Sequence, residues 1–359
     1  MTGTEMERLR AEIARLDEGI VALLNERAAL ARALGELKER AGMAFYDPAQ
    51  EARVMERIAR AGDGPLAPES LKEIYREILA ACRALQGPVT VACLGPAGSF
   101  SHAAVERVFG RGARCLFAPA IPDVFDAAER DASALALVPV ENSREGSVKT
   151  TLERLVTTPL VIVSEVCLRV SHCLVTADGG TDGIRRVYSH PQALGQCRRW
   201  LRENLPQALW VETESTARAV ERARGEEDAA AVGGRLAAEI HGMKVAVEGI
   251  EDSPRNTTRF LVLGRRATPP SGRDKTSLLF TTRHAPGALH EALGPFAAAG
   301  VNLLRIESHP IRERMWEYLF FVDLEGHAGM EPLRSCLAAL EGKTSSLKIL
   351  GSYPRKEGD

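Results

Sequence analysis

At 359 residues the chain has room for two or three domains with well-buried cores. Its composition, 45% hydrophobic and 26% charged with a formal net charge of −2, offers no basic excess for nucleic acid and no acidic tail. No apolar run is long enough to span a bilayer, and the N-terminus lacks a signal-peptide core. The seven cysteines are scattered singly with no CxxC spacing. A cytoplasmic protein with reduced thiols is expected, with no membrane or nucleic-acid partner, no zinc site and no cofactor.

Residues 5 to about 86 are predicted helical. Leu9, Ile13, Leu16, Ile20, Leu23, Arg27, Leu30, Leu34 and Leu37 alternate spacings of four and three, the seam of a heptad repeat. Asp47 suits the N-cap of a second helix with Pro48 in its first turn. Pro68 opens a third helix, with Leu71, Ile74, Ile78, Cys82 and Leu85 on its seam. Gly87-Pro88 breaks the pattern.

From Val89 to about Arg266 short apolar runs alternate with helical stretches. Strands are predicted over 89–94, 135–140, 160–166, 170–176, 186–189 and 260–263, and helices over 101–109, 124–130, 191–204 and 216–224. That alternation implies one or two largely parallel sheets flanked by helices. The segment Thr268-Pro-Pro-Ser-Gly-Arg-Asp is expected to be a linker. Beyond it the order is strand 277–283, helix 287–299, strands 302–307 and 318–324, helix 331–340 and strand 347–352, a β-α-β-β-α-β arrangement of ferredoxin-like type.

Arg27 occupies a seam position that the heptad reserves for an apolar side chain, so something negative must meet it. One reading is an ion pair with Glu26 or Glu51. Another follows from Lys38, eleven residues on, which shares the face of Arg27 about 16 Å along the axis and leaves a gap for a small dianion. Arg10 lies roughly 25 Å before Arg27 and is rotated off that face, so it would serve such a pocket from a partner helix. Residues 5 to 86 resemble the all-helical chorismate mutase domain, through Leu-Arg-Ala-Glu-Ile-Ala-Arg-Leu-Asp at 9–17, Glu26-Arg27, Lys38, Asp47, Glu51 and Gln86. The resemblance implies two intertwined chains. Arg27 and the partner's Arg10 would hold the carboxylates, and Lys38 and Gln86 the ether oxygen. Glu51 and the Asp47 backbone would meet the ring hydroxyl. Gln50 and Cys82 stand where some members carry Arg and Ser.

Four polar clusters lie at the ends of predicted strands in the middle segment: Gly95-Pro-Ala-Gly-Ser-Phe-Ser, Glu141-Asn-Ser-Arg-Glu-Gly-Ser, Ser189-His-Pro-Gln and Thr257-Thr-Arg-Phe. Ligands in open α/β sheets bind beyond the carboxyl ends of strands. The Thr-Arg cluster begins its own strand, so it could face a shared cleft if that strand runs antiparallel. A dinucleotide fingerprint is absent, because Pro96 and Ala97 follow the first glycine. Each cluster also has a local reading, with Asn142 and Ser143 as turn or capping residues and His190 beside a proline turn. Together, with Glu214-Ser-Thr-Ala, the motifs resemble prephenate dehydratase, whose fold is two α/β lobes like those of periplasmic binding proteins. By that resemblance Thr258 lies beside the departing ring hydroxyl, and Glu141, if protonated by burial, is a second proton source. Arg259 would meet a carboxylate, and Ser99, Asn142, Ser143, Ser189, His190, Gln192 and Phe260 would complete the substrate site. The chain would leave the first lobe near Val166 and return near Ile250.

Residues 276–354 resemble the ACT domain, a dimerising amino-acid sensor. Pro286-Gly-Ala-Leu and Asn302-Leu-Leu-Arg-Ile-Glu-Ser-His-Pro match its two phenylalanine motifs, implying an effector site of Gly287, Ala288, Leu289, Asn302, Leu303, Glu307 and Ser308. His309 replaces an Arg common in the second motif. The expected protein is multidomain: an all-α mutase at 1–87, an α/β bilobal dehydratase at 88–267 and an α+β ACT domain at 275–355. It would take chorismate to prephenate and prephenate to phenylpyruvate as a homo-oligomer inhibited by phenylalanine. The alternatives are a dehydratase with a catalytically weak helical dimerisation domain, and a non-catalytic bilobal binding protein.

Overall fold

The computed structural model describes residues 2–62, 64–253, 255–283, 285–310 and 318–356. They divide into two units, one of residues 1–89 with 109–114, the other of 90–108 with 115–359.

The first unit is built on three helices, α1 (Thr2–Arg40), α2 (Pro48–Ala61) and α3 (Pro68–Gln86). Asp47 caps α2 as expected, its side chain accepting from the Gln50 N–H at 3.0 Å. At 39 residues α1 is about 58 Å long, and its seam leucines and isoleucines from Leu9 to Leu37 stay exposed in the single chain. The helices meet near the end of α1. There Gly35 is buried against α3 so closely that a Cβ would sit 2.5 Å from the Gln86 Cα. This contact sets Lys38 beside the end of α3.

Among the described residues the second unit holds three sheets. The first lobe comprises β1 (Thr90–Leu94), α4 (Phe100–Phe109), β2 (Arg114–Ala118), α5 (Ile121–Arg130), β3 (Leu135–Asn142), β4 (Gly146–Ser147), α6 (Lys149–Thr157) and β5 (Val161–Arg169). The chain then crosses to the second lobe: β6 (Cys173–Thr176), β7 (Arg186–Ser189), α7 (Pro191–Gln196), α8 (Arg198–Asn204), β8 (Leu209–Glu212), α9 (Thr216–Ala223), β9 (Ala229–Gly233), α10 (Arg235–His241) and β10 (Lys244–Glu248). It returns as β11 (Thr257–Gly264). The strand orders are β2-β1-β3-β11-β5, with β4 on β3, and β10-β6-β9-β7-β8. β11 runs antiparallel to both β3 and β5, the orientation that lets its first residues face the crossing between lobes.

The last sheet contains β12 (Asp274–Thr281), β13 (Leu303–Pro310), β14 (Tyr318–Glu325) and β15 (Ser346–Pro354), in the order β13-β14-β12-β15. Helices α11 (Ala288–Ala298) and α12 (Leu333–Glu341) pack on one face around Leu278, Phe280, Val322 and Leu340. The other face packs on the first lobe, where Leu279, Phe321, Leu350 and Tyr353 share a core with Val138, Leu155, Ile162 and Leu261. At Gly351 a Cβ would meet the Ile162 backbone at 2.2 Å, so the two sheets touch there main chain to main chain. The linker at 268–274 is tied down by hydrogen bonds. Thr268 is buried and donates to the Val163 carbonyl at 3.1 Å, and the Asp274 carboxylate accepts from the Ser271 N–H at 3.0 Å.

Candidate functional site

In the helical unit Lys38 Nζ donates to the Phe45 carbonyl at 3.0 Å and to Gln86 Oε1 at 3.1 Å. The two residues expected to share one substrate oxygen thus lie together at the α1–α3 contact. Burial holds the Lys38 ammonium below its ordinary range, although the charges of Asp47 and Glu51 oppose that shift. Arg27 is half-buried and has no ion-pair partner among the described residues. The ion pair with Glu51, one of the partners that the seam position allowed, does not form, because Glu51 is taken by Arg83 with bonds of 2.8 and 3.0 Å. Arg83 is a polar anchor that the motif reading did not select. Its guanidinium also lies over the rings of Tyr46 and Phe109, 5.3 and 5.6 Å from their centroids. The signal was its position one turn before Gln86 on α3. Cys82 is buried in the helix packing, and Arg10 lies exposed on α1.

Where β3 and β11 meet, strand alternation sorts the motif residues onto two faces. Thr258 pairs with Asn142 in register and Arg259 with Glu141. On one face Asn142 Nδ2 donates to Thr258 Oγ1 at 2.9 Å and to Asn256 Oδ1 at 2.8 Å. The orientation of the Asn142 amide is fixed, because its Oδ1 accepts from the Arg144 and Glu145 N–H groups at 3.0 and 3.2 Å. That polarity runs on into the second lobe. Asn256 donates to Gln196 Oε1 at 3.0 Å, and Gln196 Oε1 then accepts from His172 Nε2 at 2.9 Å. Burial lowers the His172 imidazole below its ordinary range, against Gln196 and Glu251. Thr258 Oγ1 accepts from the amide, which leaves its own proton free to donate. Asn256 begins the Asn-Thr-Thr-Arg-Phe motif, which gave it no role, whereas Gln196 and His172 carried no motif signal in the sequence.

The other face corrects three expectations. Arg259 does not join Thr258. Its Nε donates to Glu165 at 2.8 Å, its two terminal nitrogens to Asp323 at 2.8 Å and the Tyr353 hydroxyl at 3.1 Å. Burial opposes this charge, but Tyr353, Asp323 and Glu165 outweigh it and hold the guanidinium protonated. Lys275 Nζ, 2.9 Å from Glu165, balances the group as two cations and two carboxylates. Glu141 is not buried: its side chain is 37% exposed and lies 3.4 Å from the Arg305 guanidinium. Phe260 is enclosed in the sheet, with no face for a substrate.

The remaining residues act locally. Ser99 donates to the Leu94 carbonyl at 2.9 Å and accepts from the His102 N–H at 3.2 Å, holding the glycine loop. The Ser143 hydroxyl donates to the Arg255 carbonyl at 3.1 Å, tying the β3–β4 turn to the segment before β11. Ser189 is fully buried and donates to the Val232 carbonyl at 2.6 Å, so its hydroxyl braces two strands rather than meeting substrate. His190 caps α7 by accepting from the Gln192 N–H at 3.3 Å, the local reading of that motif.

In the last sheet a cavity of about 200 Å³ is lined by Gly287, Ala288, Leu289, Tyr318 and Phe320 among others. Ser308 pairs with Phe320 in register and so shares its face. Leu303 packs against the helix-side core, and the Asn302 carbonyl accepts from the Glu325 N–H at 3.0 Å at the far end of β13. Glu307 points away from the cavity, which corrects its effector assignment. It accepts from Ser147 on β4, from Arg305 at 2.6 Å and pairs with His309 at 2.7 Å.

Three family models match in chain order: Chorismate mutase type II over residues 9–87, Prephenate dehydratase over 91–268 and ACT domain over 276–342. A bifunctional chorismate mutase/prephenate dehydratase from Aquifex aeolicus is 42% identical over 98% of both chains. A prephenate dehydratase from Arthrobacter aurescens, solved in complex with L-Phe, superposes with a TM-score of 0.68 at 34% identity, covering 76% of this chain and 91% of that one. GqqA, a quorum-quenching acylase, superposes with a TM-score of 0.69 at 34% identity over 75% of this chain and 98% of its own. Among the described residues no helix is long and apolar enough to cross a membrane.

Proposed function

Because this chain belongs to the bifunctional chorismate mutase/prephenate dehydratase family and carries both activities, we propose that its two reactions are divided between the α1–α3 junction and the Asn142–Thr258 pair. Arg27 and Lys38 hold chorismate along α1, with Gln86 sharing the ether oxygen. A [3,3] rearrangement needs no nucleophile and no proton transfer. The site has only to fold the substrate into its reactive chair and stabilise the charge growing on that oxygen. The exposed seam of α1 is covered by the same helix of a second copy, which brings Arg10 to the far end of the pocket. A homo-oligomer follows from this arrangement, and its place as a biosynthetic enzyme, as in its relatives, supports a cytoplasmic location.

For the second step, Thr258 gives its proton to the departing ring hydroxyl as carbon dioxide leaves and the ring becomes aromatic. Water, carbon dioxide and phenylpyruvate account for all atoms of prephenate, and solvent restores the threonine proton. The observation that carries this reading is the fixed Asn142 amide, which uses one Thr258 lone pair and leaves the O–H free to donate. Glu141 is set aside because it faces Arg305 on the opposite side of the sheet.

The cavity at residues 287–289 takes phenylalanine, with main-chain N–H groups at the start of α11 holding the carboxylate and Leu289, Tyr318 and Phe320 meeting the ring. Chorismate incubated with the enzyme alone tests the whole scheme. Chorismate should disappear and phenylpyruvate accumulate, with phenylalanine slowing the second step. Accumulation of prephenate would refute the dehydratase assignment, and unchanged chorismate the mutase assignment.

A further inference from the structure

We propose that Ser147 and Tyr353 are positioning residues for the dehydratase, acting from the face of the sheet opposite Thr258 by clamping both halves of the Asn142–Thr258 hydrogen bond to the ACT sheet. The inference rests on the reading of Thr258 as the proton donor.

Each half of that bond has a neighbour one residue away on the other face. Next to Thr258 is Arg259, whose guanidinium reaches the ACT sheet at Asp323 and at the Tyr353 hydroxyl, at 2.8 and 3.1 Å. Tyr353 is fixed in turn by Ser277, hydroxyl to hydroxyl at 2.6 Å, and Ser277 bonds Asp323. Next to Asn142 is Glu141, which pairs in register with Ser147 on β4. Ser147 donates to Glu307 and accepts from Arg305 at 2.8 Å, both on β13, and Arg305 also lies 3.4 Å from Glu141. The ACT sheet therefore holds β11 through one buried polar cluster and the β3–β4 turn through another. A strand is stiff between adjacent residues, so fixing Arg259 and the Glu141–Ser147 pair fixes where Thr258 and Asn142 stand.

The register between these strands needs such support. Arg259 pairs with Glu141, but Phe260 pairs with Pro139, so Val140 is an extra residue on β3, two positions before Asn142. A bulge bends and weakens a ladder locally. The two clusters flank it on the side away from substrate. Glu307, expected from the sequence to touch an effector, is instead a member of one of them.

The test uses the full chain with Ser147→Ala and Tyr353→Phe combined, each removing one hydroxyl and little volume, and prephenate turnover measured without phenylalanine. A misplacement of order 1 Å at a reacting group costs up to about 100-fold, so a partial loosening should lower kcat roughly tenfold while KM stays nearly constant. Ser147→Thr keeps the hydroxyl and should retain wild-type kcat. In a Thr258→Val background the double change should add nothing further, because it acts through Thr258. Wild-type kcat in the double variant, or an equal loss when Thr258 is already Val, would overturn the proposal. Should Thr258→Val itself turn over at the wild-type rate, the donor reading fails instead, which separates the two. If the double variant does not fold, Tyr353→Phe alone carries the same comparison, and an unaltered kcat there is decisive against the Arg259 clamp.

Discussion

Asn142 and Thr258 stand 116 positions apart in the chain and are joined by a 2.9 Å hydrogen bond whose direction is set by two backbone N–H groups of the β3–β4 turn. Asn142→Asp keeps the acceptor for that turn but faces Thr258 with an oxygen that cannot donate. Dehydratase kcat should fall about 100-fold, the usual worth of a placed proton donor, and Thr258→Val should fall by a similar factor. Because both remove one unit, the double variant should be little worse than either. Fully additive losses, measured with prephenate supplied directly, would mean that the two side chains work separately.

Mutase and dehydratase activities should separate cleanly by substitution. Arg27→Ala is expected to remove mutase turnover by several orders of magnitude and leave prephenate turnover intact. Mixed with Arg10→Ala chains it should regain activity, because a mixed dimer contains one pocket with both cations. Exchange of chains verified by mass spectrometry without any recovery would rule out the crossed arrangement.

The alkaline limb of mutase activity should reflect Lys38. Burial favours its neutral form, so its folded value lies below the ordinary 10.5. The cation is present below that lowered value and is lost as pH rises through it, so mutase kcat/KM should decline before an exposed lysine would titrate. Dehydratase activity, followed in parallel, should lack this limb. Lys38→Arg should move the decline to higher pH if the fork still reaches Gln86.

Gly35→Ala tests the helix contact. The added methyl would meet the Gln86 backbone at 2.5 and 2.6 Å, and neither partner is a flexible side chain. Overpacking of this kind costs about 1–3 kcal/mol. The helical unit should melt earlier and mutase activity should drop as Lys38 and Gln86 part, while Gly19→Ala, with no atom within 4 Å in the single chain, should leave the α1–α3 contact and the Lys38–Gln86 bond intact. Equal behaviour of the two variants in thermal melts would contradict the close approach.

Periodicity made the three helices and the β-α-β-β-α-β tail legible, because each buries one regular face. β9 escaped notice, since Ala-Ala-Ala-Val-Gly has little β propensity. Its small side chains serve packing, letting α9 and α10 approach through Ala217, Ala219 and Ala237. The division of Thr257-Thr-Arg-Phe was half legible. Alternation says that Thr258 and Arg259 face apart, but which face meets a third sheet depends on residues more than sixty positions away. Arg83 was hidden for a similar reason, since its partner Glu51 belongs to another helix.

The alternation of β11 also governs which heritable changes this chain can absorb. A single-residue insertion or deletion between Asn256 and Thr258 would slide the strand by one step and exchange its two faces. A threonine (on insertion) or a phenylalanine (on deletion) would then lie against Glu165 and Asp323, leaving two carboxylates without their guanidinium, while Arg259 would turn toward the lobe crossing in place of a hydroxyl. Substitutions can therefore sample this stretch one side chain at a time, but changes of length cannot. The spacing from the β10 turn to the core residues Leu261 and Leu263 should be held constant in any functional descendant, even where the residues themselves have drifted.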